Sequence, residues 1–231
     1  DVIAAPLYTY SLGACLTAIE RLRHYFPEAL TIVGGPHATL ADTEMISREF
    51  IDVLIVGEGD DSFPEVIEAL EKHGRRGLWS AIRNLGGVVF KDHISQGPAK
   101  KSCATNDTVL PASQLVRNAR RPLIRNLDRV PLATDGYDLF DLDEVHRLPG
   151  FVPVMSSRGC PYSCIFCSSA DLWQHRINFR TTENIRTELE AIKSYGFNAV
   201  NFRDDLFTIR RKRTIELSLV LGELGMVWGC E

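Results

Sequence analysis

The 231 residues contain no apolar run of membrane-spanning length, and no charged-then-apolar leader precedes the first predicted strand. Positive charge is not in excess either: a formal net charge of -4 argues against a general nucleic-acid coat. No Gly-Lys-Ser/Thr occurs, and Gly57-Glu-Gly59 has Ser62 where a dinucleotide fingerprint needs its third glycine, so both common phosphate-loop signatures are missing. Cysteine is sparse and unevenly placed. Three of the six cysteines crowd into one loop, which suits a reducing, cytoplasmic compartment better than a disulfide framework. The chain opens at Asp1 and stops at Glu231 directly after a predicted strand, so it reads as a piece of a longer protein.

What is present alternates. Asp1 to Ala5 predicts a strand, Leu12 to Phe26 a helix with Leu12, Leu16, Ile19 and Leu22 or Arg23 near helical spacing, and Leu30 to Val33 an apolar strand ending in Gly34-Gly35-Pro36-His37. A helix through Met45, Ile46 and Phe50 follows, then the strand Val53 to Val56, running into Gly57-Glu58-Gly59. Ser62-Phe-Pro64-Glu65 resembles a capping box with an early proline, opening a helix that ends near Gly74. Strands alternating with helices predict a partial, doubly wound parallel sheet over 1–75. Ligands of such sheets sit beyond the carboxyl ends of the strands, where both glycine turns fall.

Residues 76–150 have another texture. Leu78 to Arg83 and Val88 to Lys91 around Asn84-Leu-Gly86-Gly87 suggest a hairpin. A polar stretch from Ser95 to Thr108 and proline-punctuated segments then suggest a linker. Arg117, Arg120, Arg121 and Arg125 read as a solvated linker face rather than a phosphate site, and Cys15 and Cys103 as ordinary small thiols.

Residues 151–231 alternate again: a strand over 151–155, a helix from Thr181 to Gly196, the strand Asn198 to Phe202, a helix from Ile215 to Leu224 and the strand Met226 to Trp228. That order opens a (β/α) barrel, whose reactive face is the carboxyl end of its strands. Cys160-Pro-Tyr-Ser-Cys164-Ile-Phe-Cys167 follows the first strand, and Arg203-Asp204-Asp205 follows the second, so both share one mouth. Three thiols on one short loop suit an iron-sulfur cluster with one open iron, whereas structural zinc sites draw four ligands from separated pairs. A zinc knuckle or three buried thiols is the plain alternative. Either acid can accept charge-assisted bonds from an ammonium, or cap the next helix, or pair with Arg203 or Arg210. The basic run Arg210 to Arg213 opposes a helix dipole and reads as solvent-facing, and Cys230, at the mouth, is either a catalytic thiol or a small buried one.

The cysteine spacing, with Phe166 just before the last thiol, resembles the cluster loop of the radical S-adenosylmethionine (SAM) superfamily. The resemblance implies a 4Fe-4S cluster on Cys160, Cys164 and Cys167, SAM on the open iron, Phe166 in the cluster and SAM environment, and Asp204 or Asp205 at the SAM amino group. The family more commonly carries Gly-Gly-Glu at the second strand, and the Asp-Asp form looks like that of cobalamin-linked members. Gly34, Gly35, Pro36 and His37, followed by Gly57, Glu58 and Gly59, are similar to the cobalamin-binding domain that precedes many radical SAM cores. Ala5-Pro6-Leu7 departs from the Ser-x-Leu of that domain. His37 reads equally as a turn histidine, and Glu58 as an acid near a helix start.

The expected fold is therefore α/β: a partial Rossmann-like cobalamin-binding sheet over 1–75, a hairpin and linker over 76–150, and the first strands of a TIM-like radical SAM barrel over 151–231. The resemblance implies an enzyme that cleaves SAM reductively to a 5′-deoxyadenosyl radical, using cobalamin, and methylates an unactivated carbon of a small molecule or metabolite. An external one-electron donor is implied as well. The alternatives are a radical cyclase of the tetrapyrrole type and a non-enzymatic corrinoid or metal carrier. Methylthio transfer to RNA fits less well, since no basic RNA module is visible.

Overall fold

The computed structural model describes residues 1–92, 114–146 and 150–230, and the polar stretch over 95–108 with Cys103 lies outside them. The chain forms two compact units, Asp1–Leu123 and Ile124–Glu231. Among the described residues no helix is long and apolar enough to cross a membrane.

The first unit is built on a five-stranded sheet in the order β1-β2-β3-β4-β5. The strands are β1 (Val2–Pro6), β2 (Leu30–Gly34), β3 (Val53–Ile55), β4 (Val88–Lys91) and β5 (Leu115–Arg117). The first three run parallel, in a register that sets Ala4 beside Ile32 and Ile32 beside Val53. β4 and β5 add antiparallel. The helices are α1 (Leu12–Tyr25), α2 (Gly35–Leu40), α3 (Asp42–Ser47) and α4 (Gly59–Ala81).

Strand alternation sorts the core onto two faces. Val33 and Leu54 pack with Leu16, Ile19, Met45 and Ile46 from α1 and α3. Leu30, Ile32, Val53 and Ile55 pack with Val66, Leu78, Trp79 and Ile82 from α4 and its end. Helices on both faces of a parallel sheet make this the doubly wound fold.

The structure departs from the sequence expectations at α4. The helix begins at Gly59, three residues ahead of the expected cap, with Asp60 and Asp61 in its first turn. Acids there complement the dipole. Ser62 is buried, and its hydroxyl donates to the Gly86 carbonyl at 3.0 Å rather than capping. Gly74 breaks the helix as expected (φ 61°, ψ 175°), but the helix resumes to Ala81. The hairpin expected over 78–91 therefore does not form: Leu78 and Trp79 are helical and buried, and β4 finds its partners in β3 and β5. Nor are all the linker arginines free, since Arg117 pairs with Asp42, and Arg121 pairs with Glu65 and donates to Gly86 O at 3.1 Å.

The second unit carries 3-10 turns at Leu127–Arg129 and Ala133–Leu139, then α5 (Leu142–His146), and a three-stranded parallel sheet in the order β10-β9-β6, formed by β6 (Val152–Val154), β9 (Ala199–Phe202) and β10 (Val227–Cys230). Between β6 and β9 come β7 (Ser157–Arg158), α6 (Ser169–Trp173), β8 (Asn178–Phe179) and α7 (Thr182–Ser194), with β7 and β8 paired antiparallel. α8 (Arg211–Glu223) links β9 to β10. Thr181 caps α7, accepting the Asn184 N–H at 3.2 Å. Ile185, Leu189 and Ile192 of α7 and Leu217 and Leu221 of α8 cover Val154, Val200 and Phe202 of the sheet. The result is the opening of a (β/α) barrel.

Candidate functional site

In the first unit both glycine turns lie at the carboxyl ends of β2 and β3. Gly35 adopts φ +89°, and a side chain added there would stand 3.1 Å from the backbone N and O of Leu7. Gly57 adopts φ +86° with nothing within 4 Å of such an atom, and its N–H donates to Thr39 Oγ1 at 3.0 Å. Pro36 starts α2, where its missing N–H is harmless. Between the turns is a largely apolar cavity of about 360 Å³ lined by Ala5, Pro6, Gly34, Gly35, Gly57, Gly59 and Phe63. The cradle fits a flat, mostly apolar group laid against backbone, because the lining glycines keep it open.

The remaining residues singled out there are placed as follows. Glu58 occupies the N-cap position of α4 without a side-chain capping bond. His37 donates its backbone N–H to Leu7 O at 3.0 Å, and its Nδ1 lies 3.0 Å from Thr9 Oγ1. Its Nε2 is buried without a hydrogen-bond partner. The turn role is thus present in the backbone, and one ring nitrogen remains unmatched.

In the second unit the cysteine loop leaves the carboxyl end of β7 and runs into α6. Cys160 is half-buried, and Cys164 and Cys167 are exposed, as are Tyr162, Ile165 and Phe166. Cys167 N–H donates to Cys164 O at 3.0 Å, and Ser169 N–H points at Cys167 Sγ from 3.5 Å. Ser163 Oγ lies 3.2 Å from His175 Nδ1. Among the described residues no three His, Cys, Asp or Glu side chains are already gathered as a metal cage. The fit to a cluster therefore lies in the donor chemistry: three accessible thiols on one short loop, with a backbone N–H directed at one sulfur, the kind of contact that tunes cluster sulfurs.

The acids expected at the SAM amino group do share this mouth, but both are engaged in the fold. Asp204 is buried, with Oδ1 accepting Ser156 N–H at 2.6 Å and Oδ2 accepting the hydroxyls of Ser156 at 2.5 Å and Ser157 at 2.6 Å. Asp205 is exposed, and its Oδ2 accepts Gly159 N–H at 2.9 Å while Oδ1 accepts Ser169 Oγ at 2.6 Å. Neither acid caps α8, whose N-cap position is Arg210.

Arg213 is the residue that sequence reasoning misplaced. Expected in solvent, it is buried, donating to Ser156 O at 2.7 Å and Ser156 Oγ at 3.0 Å. Burial pushes its guanidinium below the usual value, against the opposing pull of Asp204. Arg210, Arg211 and Lys212 are exposed as expected, Arg210 with its guanidinium 4.0 Å over the Phe179 ring and Lys212 with its side chain 92% exposed. Ser156, Ser157 and Ser169 also escaped notice, since serines near a strand end or a helix start carry no signal of their own. Cys230 ends β10 opposite Phe202, exposed rather than buried.

Residues 1–67 match the B12 binding domain family. An uncharacterized methyltransferase of Pyrococcus horikoshii is 30% identical over 98% of this chain and 44% of its own length. The anaerobic magnesium-protoporphyrin IX monomethyl ester cyclase of Rubrivivax gelatinosus is 24% identical over 99% of this chain and 38% of its own. The hopanoid C-3 methylase of Methylococcus capsulatus is 25% identical over 98% and 38%. Two solved structures share the fold: the cobalamin-dependent SAM radical enzyme OxsB (TM-score 0.68, 16% identity, 96% of this chain, 29% of that one) and the radical SAM methyltransferase TsrM of Kitasatospora setae (0.64, 15%, 96% and 39%).

The first 67 residues thus carry a B12 binding domain match, and nearly the whole chain is similar to proteins named as methyltransferases and as an anaerobic cyclase. The chain spans less than half the length of these relatives. The shared fold pairs a Rossmann-like sheet with a partial barrel; the open cradle lies at the carboxyl ends of β2 and β3, and the cysteine loop follows β6 and the short β7.

Proposed function

We propose that this chain is the cobalamin-binding and cluster-binding portion of an enzyme that cleaves SAM reductively and transfers a methyl group to an unactivated carbon of a small molecule. The supporting observation is a three-cysteine loop at the carboxyl end of a (β/α) unit, in a chain whose first 67 residues match a B12 binding domain. Cys160, Cys164 and Cys167 would hold a 4Fe-4S cluster, and the cradle lined by Gly34, Gly35, Gly57 and Gly59 would take part of cobalamin, with Pro36, His37 and Glu58 beside it. When bound, these groups supply a carbon-centred radical and a transferable methyl group. The chain's own part is to offer three thiolates, keep the cradle free of side chains and hold the loop at the mouth.

An external one-electron donor and a reducing, cytoplasmic setting go with this reading. Phe166, exposed on the loop, would border the cluster and SAM, and Cys230 at the mouth is a secondary candidate for a catalytic thiol. A non-enzymatic corrinoid carrier would leave the cysteine loop without a role. The cyclase reading is kept because one cyclase relative aligns over 99% of the chain.

The full-length protein, reconstituted anaerobically with iron and sulfide and given SAM and a strong reductant, should release 5′-deoxyadenosine together with S-adenosylhomocysteine. Deoxyadenosine without S-adenosylhomocysteine would favour cyclisation. Cys164→Ala should lose the cluster and both products while still binding cobalamin. A variant that continued to make deoxyadenosine would remove the cluster assignment.

A further inference from the structure

We propose that Asp205 is the clasp of the cysteine loop, a positioning residue that ties the loop's entrance to its exit and so sets how firmly the three thiols retain a cluster, rather than a ligand of SAM. This rests on the cluster site proposed above. Gly159, whose N–H bonds Oδ2, immediately precedes Cys160, while Ser169, whose hydroxyl bonds Oδ1, follows Cys167 by two residues. One carboxylate at the end of β9 therefore spans both ends of the segment that carries the three thiols.

Three further observations bear on this geometry. Ser169 is also the residue whose N–H faces Cys167 Sγ at 3.5 Å, so what Asp205 holds is already in touch with a ligand sulfur. Gly159 has little freedom, because a side chain there would stand 2.1 Å from Arg176 O. The neighbouring Asp204 pins Ser156 and Ser157 just upstream, which fixes the strand end from which the loop departs. Each Asp205 oxygen accepts a donor from one end of the loop, so both bear on the loop's position. Fixing both ends of a loop reduces the conformations it must give up on binding, so ligands so held bind more firmly than the same residues on a free loop.

The geometry separates hydrogen bonding from charge. Asparagine at 205 can accept Gly159 N–H through its oxygen and donate its amide to Ser169 Oγ, so D205N keeps both contacts without the charge, and D205A loses both. Full-length wild type, D205A, D205N and S169A are reconstituted anaerobically, and iron and sulfide per chain are measured. SAM affinity is measured on the loaded proteins. In the apo proteins, iodoacetamide labelling of Cys160, Cys164 and Cys167 is followed by mass spectrometry.

D205A is expected to retain less than about half the wild-type iron and to label at least about threefold faster, with D205N close to wild type in iron, labelling and SAM affinity. Retained cobalamin reports that D205A is folded; if it is not, S169A carries the same test with a smaller effect. Wild-type iron and labelling in D205A would overturn the clasp, as would D205N failing as D205A does, or D205N keeping iron while losing SAM affinity. A wild type that takes no cluster, while D205A still labels faster, would overturn the cluster reading and leave the clasp standing.

Discussion

Asp204 and Ser156 are joined twice: Oδ1 takes the serine's backbone N–H at 2.6 Å and Oδ2 takes its hydroxyl at 2.5 Å. Arg213 grips the same serine from the other side through its carbonyl at 2.7 Å and its hydroxyl at 3.0 Å. A buried acid, a hydroxyl and a buried cation thus form one connected group at the end of the first barrel strand. Asp204→Ala would leave the Ser156 N–H and both serine hydroxyls without their acceptor and Arg213 without its nearest compensating charge. The expected loss is about 3 kcal/mol in guanidinium unfolding, and Asp204→Asn, which keeps one acceptor oxygen, should lose less. A loss under about 0.5 kcal/mol for the alanine variant would contradict this account.

Gly159 holds φ +98° with Arg176 O 2.1 Å from where a side chain would begin. Gly159→Ala must therefore displace the turn at Gln174 and His175, both already at positive φ, or move the start of the cysteine loop. The expected result is a folded first unit that still binds cobalamin, with reconstituted iron falling to below roughly a third of wild type. Wild-type iron content in this variant would show that the loop's entrance tolerates movement.

The two glycine turns of the first unit should respond unequally. Gly57→Ala meets only the cost of a positive φ, about 1 kcal/mol, since nothing lies within 4 Å. Gly35→Ala meets that cost plus contact with the Leu7 backbone at 3.1 Å, for an expected total of roughly 2–3 kcal/mol. Thermal unfolding of the two variants side by side checks the order. Both substitutions should weaken cobalamin binding, as each side chain would border the cradle.

Lys91 carries a pH dependence. Burial lowers its ammonium from the ordinary 10.5 to about 8, in opposition to Asp52 and Glu49, while Nζ donates to Arg48 O at 2.7 Å and Glu49 O at 3.2 Å. The folded chain releases this proton before the unfolded chain does. The burial penalty is thus fully present below pH 8 and shrinks as pH rises towards 10.5. The difference in unfolding free energy between wild type and Lys91→Met should move in favour of wild type across that window, by on the order of 2 kcal/mol. A difference independent of pH would show that Lys91 is solvated.

Local signals carried much of this protein. Alternating apolar strands and helices at 3.6-residue spacing announced the parallel strands of both sheets, because period and burial are properties of neighbouring residues. Gly34-Gly35 and Gly57, with the three cysteines, were legible because positive φ and ligand spacing are written in adjacent positions. The failures were all long-range. Leu78 to Arg83 looked extended until the second face of the sheet required a helix there. Ser62 looked like a cap until Gly86 took its hydroxyl.

What the sequence by itself determined was the order of elements, the glycine turns and the thiol spacing, all set by local sterics and periodicity. Tertiary structure alone decided what the polar groups at the mouth do. Asp204 and Asp205 are adjacent in the chain, yet one is buried against Ser156 and Ser157 and the other, exposed, bridges Gly159 and Ser169. Arg213 is drawn from the solvent face of a helix to a carbonyl 57 residues away. A hydrogen bond depends on where folding brings its two partners, and no spacing within a segment encodes that meeting.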